Sequence, residues 1–179
     1  LAKLNEHTTK RTKIYEGKIV DLELHDVQLP DGREGMREVI KHPGAVAILA
    51  VDEEGKIVLV NQFRKPLDKV IAELPAGKLE INEDPLVCAK RELAEETGYR
   101  ANEWSFVTSF YTSPGFADEI IYLYLAKDLE MGTVATDDDE FVDPFVVSIE
   151  EAEGMLAESK IHDAKTAYAL LYAKCVLSS

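Results

Sequence analysis

The sequence predicts an α+β protein, an α/β/α sandwich, from three observations. Short stretches with strand patterning recur from Arg11 to Val147. Stretches with helical spacing interrupt them between Asp84 and Gly98 and follow them from Ser148 and from His162, which puts helices on both sides of the strand run. A chain of 179 residues with 46% hydrophobic content is long enough for one domain with a sizeable core and an appended subdomain.

Residues 1–10 are polar and are expected to fray. From Arg11 to Leu29, Ile14, Ile19, Val20, Leu22, Leu24 and Val27 alternate with polar residues, as in one or two strands. Pro30-Asp31-Gly32 is a turn, since Pro presets φ and Gly supplies a positive φ. Arg33 to Lys41 returns as a further strand. Residues 1–42 thus read as an antiparallel β-meander subdomain ahead of a main domain at 43–179. A small sheet alone is marginal, so it is expected to pack on the main body or on a second subunit.

Ala45 to Val51 is a short, continuously apolar strand, Asp52 to Gly55 a hairpin turn, and Lys56 to Phe63 the return. Arg64-Lys65-Pro66 breaks that strand. Val70 to Leu74 is another, running into the loop Pro75-Ala76-Gly77. Beyond Gly98, strands are expected at Trp104–Thr112 and Glu119–Ala126 around the loop Ser113 to Asp118. An acidic run, Asp137 to Glu140, precedes a strand over Phe141–Val147. Ser148 caps a helix to about Ser159, with Glu151 placed for a capping box. His162-Asp163 opens a last helix.

The helix between Asp84 and Gly98 carries the chemistry. Asp84 suits the N-cap, Pro85 the first turn and Gly98 the left-handed stop. Leu86, Ala89 and Leu93 form one stripe, while Glu92, Glu95 and Glu96 crowd another face. Like charges at that spacing cost about 0.2–0.5 kcal/mol per pair. A cation on the cluster would offset this, and hard carboxylate oxygens suit Mg²⁺ or Mn²⁺ better than zinc. The plain alternative is a solvated acidic face. A backbone carbonyl of Pro75-Ala76-Gly77 would approach an ion closely, and Glu83 would either hold Arg91 or reach the ion through water.

A formal charge of −14 argues against nucleic acid or an anionic membrane as partner. Cys88 and Cys175 make no disulfide framework, and no apolar run approaches a membrane span or a signal peptide, which fits a cytoplasmic location. The sequence begins at Leu1 rather than Met, which leaves the native start open. The four histidines are scattered, without zinc-ligand spacing.

Metal ions on carboxylates with room for phosphate imply attack on phosphorus. Such chemistry needs a base near the attacking water and a cation on the phosphates. Arg64 is the first cation to consider and Glu140 a candidate base, against the alternatives of a surface arginine and a solvated loop.

Gly77, five residues, Glu83, seven residues, Arg91-Glu92-Leu93, one residue, Glu95-Glu96, one residue and Gly98-Tyr99 together resemble the Nudix box of the Nudix hydrolases. The family more often has an aliphatic residue where Tyr99 stands. Arg37 to Ile40, His42 to Val46, Gln62 to Pro66, Glu73 to Glu80 and Pro114 are similar to the ADP-ribose pyrophosphatase branch. The resemblance covers roughly residues 10–178 and implies a Nudix fold that hydrolyses ADP-ribose to AMP and ribose 5-phosphate. The Ala76 carbonyl, Glu92 and Glu96 would bind Mg²⁺, with Mn²⁺ as a possible substitute, and Glu95 would share a second ion and serve catalysis. Glu140 would be base or further ligand, with Asp138 as alternative. Arg64 would contact the diphosphate, Glu73 and Glu119 the ribose or adenine side, and Arg37 the substrate. Arg91 with Glu83 would support the loop. The meander would be a homodimerisation element lining the adenosine pocket, with Tyr15 or Phe116 stacking on adenine. Other nucleoside diphosphate derivatives (a nucleotide sugar, NADH, a flavin dinucleotide) and a non-catalytic ADP-ribose sensor are the alternatives.

Overall fold

Strand β4 (Ala45–Ala50) is buried on both faces, and the main body is built around it. In the computed structural model, which describes residues 4–132 and 141–177, the chain divides into two compact units. One comprises 1–44 with 111–120, the other 45–110 with 121–179.

The first unit is a three-stranded antiparallel sheet in the order β1 (His7–Glu16), β2 (Asp21–Gln28), β3 (Glu34–Lys41). The expected fraying of residues 1–10 is corrected from His7 onward, where His7 pairs with Gln28 and Thr8 with Val27. Backbone pairing recruits these polar residues, helped by the Thr9 hydroxyl donating to the Asp26 carbonyl at 3.1 Å, so apolar periodicity gave no sign of it. Gly32 at φ 89° makes the turn into β3. The loop 113–118 joins β3 by main-chain bonds, Ile40 N–H to Phe116 O at 2.7 Å and Asp118 N–H to Ile40 O at 3.2 Å.

The second unit holds two sheets. One runs β7 (Ala76–Lys78), β4, β9 (Ile120–Met131), β8 (Tyr99–Tyr111), with β4 and β9 parallel. The other runs β10 (Val142–Val147), β5 (Ile57–Arg64), β6 (Lys69–Glu73), all antiparallel. Alternate residues of β4 feed two cores. Ala47 and Leu49 pack with Leu123, Ala152 of α2 (Ile149–Ala157) and Leu170 of α3 (Ala164–Leu177). Val46 and Ile48 pack with Cys88, Ala89 and Leu93 of α1 (Pro85–Thr97). A continuous apolar strand is the mark of a strand covered by helices on both faces, and the α+β sandwich follows.

Several element boundaries differ from the sequence reading. Ala76–Lys78 is a short strand paired with β4, not a loop. Strand β8 starts at Tyr99 rather than Trp104, because Gly98 at φ 73° turns the chain straight from helix to strand and Tyr99 and Ala101 then reach the α1-side core. Strand β9 continues past Ala126, where Leu129 packs on the same core and Glu130 accepts from Asn102 at 3.0 Å. The capping box on α2 is present, Glu151 N–H to Ser148 Oγ at 3.1 Å and Ser148 N–H to Glu151 Oε2 at 2.8 Å, though this helix stops at Ala157.

Candidate active site

Helix α1 begins where the sequence places it. The Asp84 carboxylate accepts from the Leu86 and Val87 amides at 2.9 and 3.2 Å, and Gly98 closes the last turn. One face carries the buried Cys88, Ala89 and Leu93. The other is not a solvated acidic face, since Glu92 is only 7% exposed and Glu96 only 3%. Both carboxylates meet the backbone of β7. Glu96 Oε2 accepts from Ala76 N–H at 2.9 Å. Glu92 lies so near Gly77 that a Cβ there would fall 1.8 Å from its carboxyl carbon, which is why the position is glycine.

Arg91 ties the helix to the loop before it. Its guanidinium donates to Glu83 at 3.1 Å, to Glu92 at 2.8 Å and to Glu95 at 2.9 Å. The arginine beside Glu83 holds that carboxyl far below its ordinary range, at about 2. Burial, reinforced by Glu83, pushes the Cys88 thiol up to about 12, so it stays a neutral packing group.

The strand before β7 ends on a second buried charge. Glu73 is 2% exposed. Its oxygens accept from Arg64 Nε at 2.6 Å and Nη2 at 2.9 Å, and from Lys165 Nζ. Burial would raise this carboxyl, but Arg64 and Lys165 together bring it below its usual value. Arg64 is shifted up, first by Glu73, with Glu96 and Asp163 adding to the field it sits in. Glu73 takes Nε and Nη2, so Nη1 is not engaged by it.

The donor set fits a hard divalent cation, being three carboxylates on one helical turn, two of them, Glu92 and Glu96, against the backbone of β7. Among the described residues no three acidic, His or Cys side chains already meet in a group able to hold an ion. Arg91 stands between Glu92 and Glu95, and the Ala76 amide holds Glu96. Closing on an ion would exchange those partners for metal.

Comparison with known proteins decides the family. Residues 40–171 match the NUDIX domain, and residues 6–40 match the nucleoside diphosphate sugar hydrolase N-terminal domain. The chain belongs to the Nudix family. It is 51% identical to an ADP-ribose pyrophosphatase of Bacillus subtilis (strain 168), over 94% of this chain and 92% of that protein. It is 50% identical to a methanol dehydrogenase activator of Bacillus methanolicus, over 93% and 91%. A crystal structure of an ADP compounds hydrolase superposes with a TM-score of 0.86 over 98% of this chain and 96% of that one, at 18% identity, which shows the shared Nudix fold.

The remaining Nudix candidates are placed as follows. Arg37 and Glu119 lie in the first unit. Arg37 donates to Glu6, with Nε at 2.9 Å from Oε2. Glu119 accepts from the Thr112 hydroxyl at 2.5 Å and stands 3.6 Å from His42 Nε2. His42 Nδ1 accepts from Gly44 N–H at 3.1 Å, so the ring proton sits on Nε2, facing Glu119. Tyr15 and Phe116 are both exposed. Glu140 and Asp138 lie outside the described residues. Ala76, Arg64, Glu73, Glu92, Glu95 and Glu96 all fall in the second unit. Sequence reasoning missed Lys165. Its signal was a lysine in the first turn of a helix, where the helix dipole opposes a cation by about 0.3–1 kcal/mol unless a carboxylate faces it. Among the described residues, no helix is long and apolar enough to cross a membrane.

Proposed function

We propose that this chain is a Mg²⁺-dependent pyrophosphatase, with Mn²⁺ as a possible substitute, that cleaves ADP-ribose to AMP and ribose 5-phosphate. The observation that carries this reading is the burial of Glu92 and Glu96 against the backbone of Ala76 and Gly77, with Arg64 within the field of Glu96. Arg91 and the Ala76 amide hold these two carboxylates side by side, and hard oxygen donors at that spacing suit Mg²⁺.

Glu92, Glu95, Glu96 and the Ala76 carbonyl would hold the ion or ions. The bound metal would supply neutralisation of the diphosphate and a more acidic water. Arg64 presents Nη1 to a diphosphate oxygen, while its other edge stays on Glu73. Water attacks one phosphorus, the bridging P–O bond breaks, and the leaving phosphate departs with the bridging oxygen. Glu140 takes the water proton. Because both Glu73 oxygens are occupied, we assign Glu73 to orienting Arg64. Arg37 and Glu119 remain our candidates for substrate recognition, the meander for homodimerisation, and the cytoplasm for location.

The test is product analysis with ADP-ribose, ADP-glucose and NADH under Mg²⁺ and Mn²⁺. The panel matters because two relatives of nearly equal identity carry different names. AMP and ribose 5-phosphate in equal amounts, formed fastest from ADP-ribose, are expected. Preference for another compound would redirect the substrate assignment. Glu96→Gln is expected to lower kcat by about 10³-fold, within the range for removal of a group that stabilises transition-state charge, while circular dichroism stays unchanged. Near-parental turnover would remove Glu96 from the metal site. Unchanged turnover in Glu140→Gln would remove that residue as base.

A further inference from the structure

We infer that Lys165, in the first turn of α3, is a positioning residue for the diphosphate site, acting through Glu73 on Arg64. The inference rests on the proposed role of Arg64.

Four charges alternate in sign along one line of contacts. Arg64 holds Glu73 through two bonds at 2.6 and 2.9 Å. Glu73 also accepts from Lys165, and Lys165 stands 3.0 Å from the Asp163 carboxylate. Lys165 is 8% exposed and Glu73 2%, so the central pair is shut away from water. Asp163 caps α3, accepting from the Thr166 amide at 2.9 Å and the Thr166 hydroxyl at 2.6 Å. The same hydroxyl accepts from the Leu74 amide at 2.9 Å. One helical turn therefore grips two consecutive residues, Glu73 by its side chain and Leu74 by its backbone, directly ahead of Pro75 and Ala76.

A lysine here is costly by every local measure. It is buried, it opposes the helix dipole, and it gives up the conformational freedom of a long side chain. A stability role alone would be met by apolar residues of similar volume at both Lys165 and Glu73. What an apolar residue would not do is divide the Glu73 carboxylate. With Lys165 present, one oxygen is shared between two cations, and Arg64 is fixed by its Nε–Nη2 edge with Nη1 left to a ligand. Without it, the whole negative charge of Glu73 falls on Arg64, whose guanidinium is drawn toward the carboxylate and offers less to a phosphate oxygen.

The test is a double-mutant cycle of Lys165→Met and Arg64→Ala. It reads kcat and KM for ADP-ribose, and calorimetric Kd for the methylene-bridged analogue, which is not cleaved. Partial unfolding reduces the amount of active enzyme and shows in kcat; a misplaced phosphate contact shows in KM and Kd. Lys165→Met is expected to raise KM and Kd about tenfold with kcat within about threefold, and Lys165→Arg to stay within about threefold of the parent in Kd. In the Arg64→Ala background the lysine change is expected to add less than about twofold. Should Lys165→Met not fold, Lys165→Gln is read on the same scale. If Arg64→Ala weakens the analogue but Lys165→Met does not, or if the two effects multiply, the positioning role is wrong while the Arg64 contact stands. If Arg64→Ala leaves Kd unchanged, the Arg64 contact fails, and the positioning role falls with it whatever Lys165→Met does.

Discussion

Two lysine–carboxylate pairs show how differently the two units handle charge. In the first unit Lys41 meets Asp118, with side chains 48% and 37% exposed. In the second, Lys165 meets Glu73, at 10% and 3%. The atoms in contact are of the same kinds, but the surroundings differ. Lys41 and Asp118 keep much of their hydration, and salt screens them. Lys165 and Glu73 have lost their water, so each depends on its other partners, Asp163 and Arg64. The sheets differ in the same way. Along β1 nearly every residue is exposed, whereas β4 is buried almost throughout. The meander is held by its main-chain ladder and can lose a side chain cheaply. The body is held by packing, and tolerates a charge only where partners stand on both sides.

Removing packing from each unit should give the largest contrast. Leu93 of α1 is fully buried against the core residues Val46 and Ile48. Leu93→Ala is expected to cost about 4 kcal/mol, within the usual range for a buried leucine. Ile14 on β1 is more than half exposed, and Ile14→Ala should cost less than about 0.5 kcal/mol. Urea unfolding of both variants measures this. Similar costs would mean that the outer face of β1 is covered in solution, as an interface between subunits would require.

Breaking the buried pair comes next. Glu73→Gln leaves Lys165 and Arg64 facing a neutral group, and a loss of about 3 kcal/mol at pH 7 is expected, at the low end for a broken buried ion pair. The pH dependence has a definite sign. Folding lowers the Glu73 carboxyl below its ordinary 4.5, so its contribution is complete above that value and fades as pH falls through the lower folded-state value. The parent and Glu73→Gln should therefore converge in stability below about pH 4.5. A gap that persisted undiminished in acid would show that the loss comes from packing rather than charge.

The legibility of the sequence follows the same division. Repulsion among Glu92, Glu95 and Glu96 is visible in spacing alone, and so are the Asp84 cap, the Gly98 stop and the unbroken apolar run of β4. Each is a local pattern. The strand character of His7 to Lys10 was not legible, because polar residues were drafted by pairing with β2. Nor was the pairing of Ala76 to Lys78 with β4, which depends on the distant partners Ala45 to Ala47. The Glu73–Lys165 contact spans 92 positions, and nothing near Lys165 points to Glu73. Its only local trace was a cation placed against the helix dipole. The resemblance supplied Arg64 and Glu73 as separate substrate contacts, and only the folded chain shows one holding the other.

The smallest effect is the sharpest test of the contrast. Asp118 does three things in the first unit. Its Oδ2 accepts from Lys41, its Oδ1 accepts from the His42 amide at 2.9 Å, and its own amide donates to Ile40. Burial works to raise its carboxyl, but Lys41 and the His42 amide bring it below its ordinary value. Asp118→Asn keeps an oxygen for the His42 amide and loses only the charge. If hydration already supports Lys41, the cost should be below about 1 kcal/mol, and about 1 M NaCl should erase it, since at that ionic strength screening acts within about 3 Å. The loss from Glu73→Gln should survive the same salt, because ions do not reach a buried pair. Equal losses in the two variants, or equal sensitivity to salt, would mean that Lys41 and Asp118 are covered in solution and that both units place their charges by the same rule.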